Sequence, residues 1–459
     1  MQTSPVHETW SSRMIFILAA VGSAVGLANI WRFPYAAGAN GGGAFVMIYL
    51  ISIFLITIPI HMSELLIGRR GRKSPIASLI SIAREMKVTP AWCLIGWNGI
   101  ILAVLVVSFY SVIAGWAPAY VVKMARGEFS VATPDMVQAI FAGHLSNPAT
   151  LITWHSIFLA VSLFIVALGI RRGVEKAFKL FTPLIFLILM SMIVFAVYTG
   201  GFMDGARFLF TIDFSKITGP VILSAIGQAF FTVGAGACAI AVYGAYLPAH
   251  VSIPRSSLII VGLDTVVALT AGLAVFPIVF MNGLEPAAGP GLVFLTLPLA
   301  FSRITGGTFL GILFMLLMVV AAMTSVIAIV ESIVVYTMEK TGLRRSLCTL
   351  SIGVLIWLLG LATVFSFNIW EDFHPLGFIG YFDGMTVFQA IEAISINMML
   401  PAGGLFIALF VGWKMTVAST REELMLADGF VFRSWRFLLR YLIPPVVLLV
   451  MIASFPGSG

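Results

Sequence analysis

The segment Val21-Gly22-Ser23-Ala24-Val25-Gly26-Leu27-Ala28-Asn29-Ile30-Trp31-Arg32-Phe33-Pro34 is long and apolar enough to sit in a bilayer, yet two glycines interrupt it and an Asn and an Arg follow. Breaking a helix in hydrocarbon strands backbone N–H and C=O groups, at a cost on the order of several kcal/mol each. Such a break persists only where protein, ions or a ligand satisfy the freed groups. The block therefore reads as a broken transmembrane helix with a binding site at its break.

The rest of the chain supplies the membrane context. Hydrophobic residues make up 60% of the sequence and charged residues 10%, with a mean hydropathy of +1.07, the signature of a polytopic membrane protein. At about 20 apolar residues per helical span, eleven spans are predicted, at roughly 14–34, 43–67, 92–122, 154–170, 178–199, 220–247, 257–282, 308–338, 347–365, 386–413 and 434–454. The net charge of +7 does not form one basic face of the kind that binds nucleic acid; it sits in the short loops between spans. Arg69, Arg70, Arg72 and Lys73, then Arg171, Arg172, Lys176 and Lys179, then Lys340, Arg344 and Arg345, then Lys414, Arg421, Arg433 and Arg436 all fall on one side if the N-terminus is cytoplasmic, as the positive-inside rule requires. Eleven spans then place the C-terminus outside, in a multi-pass membrane protein.

Cys93, Cys238 and Cys348 lie in or at the edge of spans with no metal-ligand spacing, so no disulfide framework is implied. The first span lacks a small-residue cleavage site after a short apolar core, and no removable signal peptide is expected. Residues 1–459 read as one domain. About 200 residues after the first interruption, Gln228-Ala229-Phe230-Phe231-Thr232-Val233-Gly234-Ala235-Gly236-Ala237 again sets two glycines in the middle of a span. Broken helices at matching positions of two halves point to an inverted repeat with its site between the breaks at mid-membrane. The expected class is all-α, with five spans in repeat 1 (about 10–200), five in repeat 2 (about 217–415), helices 1 and 6 unwound, and a peripheral eleventh helix at about 434–454.

At these residues the chain resembles the neurotransmitter:sodium symporter family, bacterial amino-acid transporter branch. The resemblance runs from about Trp10 to Trp413. It rests on the first-span block, Asn40-Gly41-Gly42-Gly43-Ala44-Phe45, Gly227-Gln228-Ala229-Phe230-Phe231-Thr232, Thr296-Leu297-Pro298 with Gly306-Gly307-Thr308-Phe309 in an external loop, and Thr324-Ser325 in the eighth span. It implies capture of a zwitterion together with Na⁺. Half-helix N-termini suit a carboxylate, while C-terminal ends and unwound carbonyls suit ammonium and Na⁺. By the resemblance, the backbone of Ala24, Gly26 and Ala28 and the Tyr110 hydroxyl hold the carboxylate, and the carbonyls of Phe231 and Thr232 take the amine. Two sodium sites follow: the Ala24 carbonyl, Asn29, Thr232 and Asp264 with the substrate carboxylate, and the carbonyls of Gly22, Val25 and Ala321 with the hydroxyls of Thr324 and Ser325. Read alone, the same residues fit blander roles: Tyr110 in packing, Thr324 and Ser325 in back-bonding to the preceding turn, and the glycines in helix contacts.

Asp264 departs from the animal members, which have Asn there and need chloride. An ionised carboxylate at mid-membrane wants a cation partner, and with Ala268 one turn on, Asp264 is the candidate for the fixed charge that makes chloride dispensable; a water-lined structural acid is the alternative. Arg32 and Glu392 match the external gate, with Glu for the usual Asp. Trp10, Tyr246 and Glu339 match the internal gate, where His7 stands for the expected Arg and is either a solvated tail residue or a titrating partner of Glu339. Glu64 and Glu331 are expected to brace the unwound segments or line water, with a proton relay as the other role.

The resemblance places Val106, Tyr110, Phe231, Gly234, Ala237, Ser325 and Ile329 around the substrate side chain. With Gly234 for a common serine and Ala237 for a frequent Phe or Met, the cavity should admit a large neutral, hydrophobic or aromatic amino acid, unless neighbouring side chains move in. The expected partners are thus that substrate, Na⁺ and the bilayer, with an oligomer possible and nucleic acid excluded. Three functional classes fit a polytopic chain: a sodium-coupled symporter, an ion-leak channel, and a transport-dead sensor or accessory subunit. A channel needs a continuous polar pore, whereas the polar groups here converge at mid-membrane, and a dead carrier should have lost side-chain ligands that are all present. Enzyme chemistry finds no support: the chain has no nucleophile with its base, no phosphate loop and no metal cluster.

Overall fold

A computed structural model describes residues 12–130, 132–284 and 291–454. Among the described residues the chain is helical with no strand, as lipid demands of a spanning chain that is not a barrel. Among the described residues nine helices are long and apolar enough to cross a membrane: Gly43–Gly71, Pro90–Ala125, Pro148–Ala167, Ile170–Tyr198, Ile253–Met281, Gly307–Thr341, Arg345–Phe365, Val387–Lys414 and Phe430–Ala453. A tenth span is a pair, Met14–Ala24 and Ala28–Ala39, bent by 52° at the break. The predicted span 220–247 is also two pieces, Gly219–Val233 and Ala239–Ala245, each too short to cross alone.

Burial sorts the helices into layers. In Pro90–Ala125 and Gly307–Thr341, 78% and 72% of the most apolar window is buried, against 33% in Pro148–Ala167, Ile170–Tyr198 and Phe430–Ala453. The first two form the middle of the bundle and the last three face lipid, where Leu180, Leu187, Val194 and Leu449 stay exposed. Apolar side chains can face outward here because the surrounding lipid is as apolar as the core.

Small residues let the central helices approach closely. A Cβ at Gly68 would fall 1.8 Å from the Ala241 carbonyl oxygen, and one at Gly244 would fall 2.6 Å from that of Leu65. Those contacts fix Gly43–Gly71 against Ala239–Ala245 and hold the second broken helix in place. Several boundaries differ from the sequence reading. The first span runs on to Ala39 because Phe33–Ala39 restarts as regular helix through Pro34 in its first turn. Gly22 lies inside Arg13–Ala24, in ordinary helix, so the interruption is confined to Val25–Leu27. Thr296-Leu297-Pro298, expected in a loop, lies in helix through Leu297–Ser302.

Candidate functional site

The first break begins where Val25 leaves the helix in an extended conformation, φ −69° and ψ 114°. The freed amides are taken up by side chains. Asn29 Oδ1 accepts from Gly26 N at 3.0 Å, and the Tyr110 hydroxyl accepts from Leu27 N at 3.0 Å. The Val25 carbonyl accepts from Thr324 Oγ1 at 3.2 Å and from Ser325 Oγ at 3.4 Å. Side chains crowd Gly26, since a Cβ would sit 2.3 Å from Ser325 Oγ and 3.0 Å from the Tyr110 hydroxyl.

The second break is longer. Gly234 (φ +65°), Gly236 (φ +101°) and Cys238 (φ +58°) all adopt left-handed backbone between Val233 and Ala239. Gly236 presses on another helix: its Cβ would lie 2.4 Å from both Gly404 N and the Leu400 carbonyl oxygen. Its amide donates to Glu64 Oε1 at 2.5 Å, so Glu64 braces the unwound segment as expected. Glu331 pairs with Arg345 across the short turn to the next helix.

The two breaks meet at a polar knot. Asn29 Nδ2 donates to Thr232 Oγ1 at 2.9 Å and to Asp264 Oδ1 at 2.9 Å, and Thr232 Oγ1 donates to Asp264 Oδ2 at 2.9 Å. Asn29 and Asp264 are fully buried and Thr232 is 2% exposed. On the other side of the first break, Thr324 Oγ1 also donates to the Ala321 carbonyl at 2.8 Å. The Val25 and Ala321 carbonyls and the hydroxyls of Thr324 and Ser325 are therefore gathered in one place. A Cβ at Gly22 would meet Phe178 and Thr182. Among the described residues no group of three His, Cys, Asp or Glu could hold a metal ion. Neutral oxygens with one carboxylate are a donor set for a hard alkali cation, not for zinc or copper.

Between the breaks lies a cavity of about 110 Å³. Ala24, Gly26, Ala28, Tyr110 and Thr232 line its polar end, and Val106, Phe231, Gly234, Ala237, Ser325 and Ile329 its apolar wall. Among the described residues no charged side chain lines it. The cavity runs further than the carried-over positions, to His61, Leu102, Ala103, Tyr243, Ile396 and Leu400. Of these, His61 was detectable in the sequence as a histidine inside an apolar span; the others are ordinary apolar residues or a tyrosine whose placement only the packing reveals.

Tyr110, Phe231 and Ile396 also line a second cavity of about 290 Å³, whose wall holds Arg32 and Glu392. The Arg32 guanidinium lies 4.3 Å from the centre of the Phe231 ring. Among the described residues Arg32 and Glu392 share this cavity without an ion pair between them. On the opposite side of the bundle Glu339 Oε1 accepts from Ser74 N at 2.8 Å, and Tyr246 is buried. Trp10 and His7 lie outside the described residues.

A family model described as the sodium:neurotransmitter symporter family matches residues 7–135 and 141–456. A sodium-dependent transporter of Bacillus subtilis, YhdH, is 35% identical over 96% of each chain. One from Haemophilus influenzae is 30% identical over 98% of each. Among solved structures, MhsT in complex with L-phenylalanine matches with a TM-score of 0.88 and 37% identity, over 98% of this chain and all of that one.

Proposed function

The chain belongs to the sodium:neurotransmitter symporter family, and from that premise we propose that it is a sodium-coupled symporter that imports a large neutral, hydrophobic or aromatic amino acid by alternating access. The observation that carries this reading is the cavity between the two helix breaks, with backbone and hydroxyl groups at one end and an uncharged apolar wall at the other. An amino acid has that division of chemistry. The phenylalanine bound to MhsT supports the size class. An apolar cavity of about 150 Å³ takes up benzene, so about 110 Å³ is of the order needed for a ring once flanking side chains adjust.

In this reading the N-terminal end of Ala28–Ala39 and the Tyr110 hydroxyl face the substrate carboxylate, and the end of Gly219–Val233 faces its ammonium. One Na⁺ sits among the Ala24 carbonyl, Asn29, Thr232, Asp264 and the substrate carboxylate, which couples ion to substrate directly. A second sits among the carbonyls of Gly22, Val25 and Ala321 and the hydroxyls of Thr324 and Ser325, joining the first broken helix to Gly307–Thr341. Asp264 supplies the fixed negative charge, so chloride is not needed. Arg32 and Glu392 close above Phe231; Glu339 and Tyr246 belong to the cytoplasmic closure. The two halves form an inverted repeat, the broken pair Gly219–Val233 and Ala239–Ala245 counts as the sixth of eleven spans, and the N-terminus is cytoplasmic in a bacterial inner membrane.

Uptake by purified protein in proteoliposomes, across a panel of amino acids with and without an inward Na⁺ gradient, tests the proposal. Sodium-driven accumulation of aromatic and long aliphatic amino acids is expected. Uptake that proceeds without Na⁺ under a pH gradient, or an ion leak without amino-acid transport, overturns it.

A further inference from the structure

The lipid-facing helix Ile170–Tyr198 carries its charge at one end only. From Leu180 to Tyr198 it is uncharged and rises about 27 Å, close to the roughly 30 Å of hydrocarbon in a bilayer. Tyr198, exposed at the far end, suits the aromatic belt of an interface. The opposite headgroup layer therefore falls on Arg172, Lys176 and Lys179. These three are exposed and follow one another at helical spacing, and the same stripe continues through Leu187, Met190 and Val194, all exposed.

Packing of the inner face fixes this orientation. Thr182 Oγ1 donates to the Leu18 carbonyl at 3.1 Å, and a Cβ at Gly22 would lie 2.5 Å from Phe178 Cδ1, so the helix is seated on Arg13–Ala24 with its basic stripe turned to lipid. Among the described residues none of the three bases forms an ion pair or a side-chain hydrogen bond. The helix has a single acid, Glu175, and it is buried. Phe430–Ala453, equally open to lipid, turns its bases to protein instead: Arg433 pairs with Asp428 at 3.1 Å, Arg436 donates to Thr420 Oγ1 and the Met415 carbonyl, and Arg440 donates to the Gly412 carbonyl. The positive-inside rule accounts for bases at the ends of both helices. It does not account for three left unpaired along one lipid-facing stripe.

We propose that this stripe is a binding site for an anionic phospholipid, with Arg172, Lys176 and Lys179 on its phosphate and its acyl chains along Leu187, Met190 and Val194. Lys179 stands next to Leu180 at the edge of the hydrocarbon, where a lone ammonium is costly. Its stem lies on apolar surface while its head reaches back toward the phosphate layer. Arg172 and Lys179 are separated by about 10 Å along the helix axis, a gap that two long side chains reaching toward one phosphate can close. A zwitterionic headgroup brings an ammonium of its own and cancels the attraction. An anionic headgroup keeps it, at about fivefold in binding for each base near the surface.

The test is native mass spectrometry of the full-length protein in detergent, titrated with phosphatidylglycerol or with phosphatidylcholine of the same acyl chains. Wild type is expected to hold the first phosphatidylglycerol at least about tenfold more tightly than the first phosphatidylcholine. In the triple variant Arg172→Gln, Lys176→Gln, Lys179→Gln the two lipids should bind within about twofold of each other. The triple variant Arg84→Gln, Lys87→Gln, Lys340→Gln removes as much charge from exposed positions at the same end of the bundle, where Ser74 meets Glu339, and should keep the wild-type ratio. Millimolar inorganic phosphate should not displace the lipid, because the acyl chains share in holding it. Equal affinity for the two lipids in wild type, equal loss in both triple variants, or displacement by inorganic phosphate each overturns the proposal. If the first triple variant does not fold, Lys176→Gln with Lys179→Gln decides: a ratio cut at least about fivefold supports the site, and an undiminished one overturns it.

Discussion

The two helix breaks solve the same problem by different means. At Val25–Leu27 the backbone stays in conformations open to any residue, and the freed groups are stitched by side chains: Asn29, Tyr110, Thr324 and Ser325. At Gly234–Cys238 three residues take left-handed backbone. There the segment is wedged against the Leu400–Gly404 stretch and tied to the Glu64 carboxylate. Side-chain stitching can be exchanged for ion or substrate contacts without disturbing the chain path. A wedge of backbone on backbone cannot. The first break is thus suited to ligand exchange and the second to shaping the wall, and substitutions at the two should fail differently.

The largest expected contrast is between Gly236→Ala and Gly26→Ala. The first forces a Cβ into backbone atoms at 2.4 Å on a φ of +101°. Strain and overpacking together should cost on the order of 3–5 kcal/mol, read as a large drop in thermal stability or loss of folded protein in detergent. The second meets Ser325 Oγ, a side-chain tip that can rotate. It should fold with a melting temperature near wild type and lose amino-acid binding by more than about tenfold, because the displaced groups hold the break in place. Equal stability loss at both glycines would erase the distinction between the two breaks.

How much of this was legible in the sequence differs between the breaks for a physical reason. Asn29 and Arg32 in an apolar run announce the first break because lipid penalises them. Gly22 looked like part of it, but glycine in a membrane helix also serves packing, and Gly22 makes room for Phe178 and Thr182. At the second break Gly234 and Gly236 were visible as helix breakers, while Cys238 gave no signal, since cysteine has no preference for the left-handed backbone it adopts. The spans were readable from apolar length alone, though their ends were not. Hydropathy does not change where Pro148–Ala167 or Phe430–Ala453 begins, whereas helix caps and prolines do. The far wall of the cavity, Leu102, Ala103, Ile396 and Leu400, comes from two helices about 300 residues apart in sequence and carries no local motif. The partner of Glu331 was equally hidden, because a short turn brings Arg345 back to it.

Removing the stitch on one side of the first break should cost ion coupling but not fold. Thr324→Ala combined with Ser325→Ala deletes two hydroxyls that now donate to the Val25 carbonyl. Contacts to a charged group contribute about 1.5–3 kcal/mol each, so apparent Na⁺ affinity in scintillation-proximity binding should fall by at least about 100-fold. Unaltered sodium stimulation in a folded double variant would show that this cluster is only back-bonding.

On the other side of the break, the knot of Asn29, Thr232 and Asp264 supplies the only carboxylate among the three. Replacing chloride by gluconate should leave wild-type uptake unchanged. Asp264→Asn keeps the shape and removes the charge, so its uptake should fall about tenfold in gluconate and recover in part with chloride, which can restore a negative charge nearby. A wild-type protein that stops in gluconate rejects the assignment of the fixed charge to Asp264.

The smallest expected effect lies in the second break, where a side chain can change without bending the backbone. Ala237 lines the cavity, and Gly234 keeps open space beside it, since a Cβ there would meet only the Ala237 Cβ at 4.0 Å. Each buried CH₂ of substrate contributes about 0.8 kcal/mol, so the volume left at this wall converts directly into a preference for size. Ala237→Phe fills that volume with protein instead. Uptake of phenylalanine should drop about tenfold while alanine uptake holds within about twofold, because alanine never reaches the filled space. Stability should move little, as the added ring enters a void and not the packed core. If both amino acids fall together, Ala237 shapes the backbone of the break and the wall is set from the opposite side of the cavity, by Val106 and Ile329.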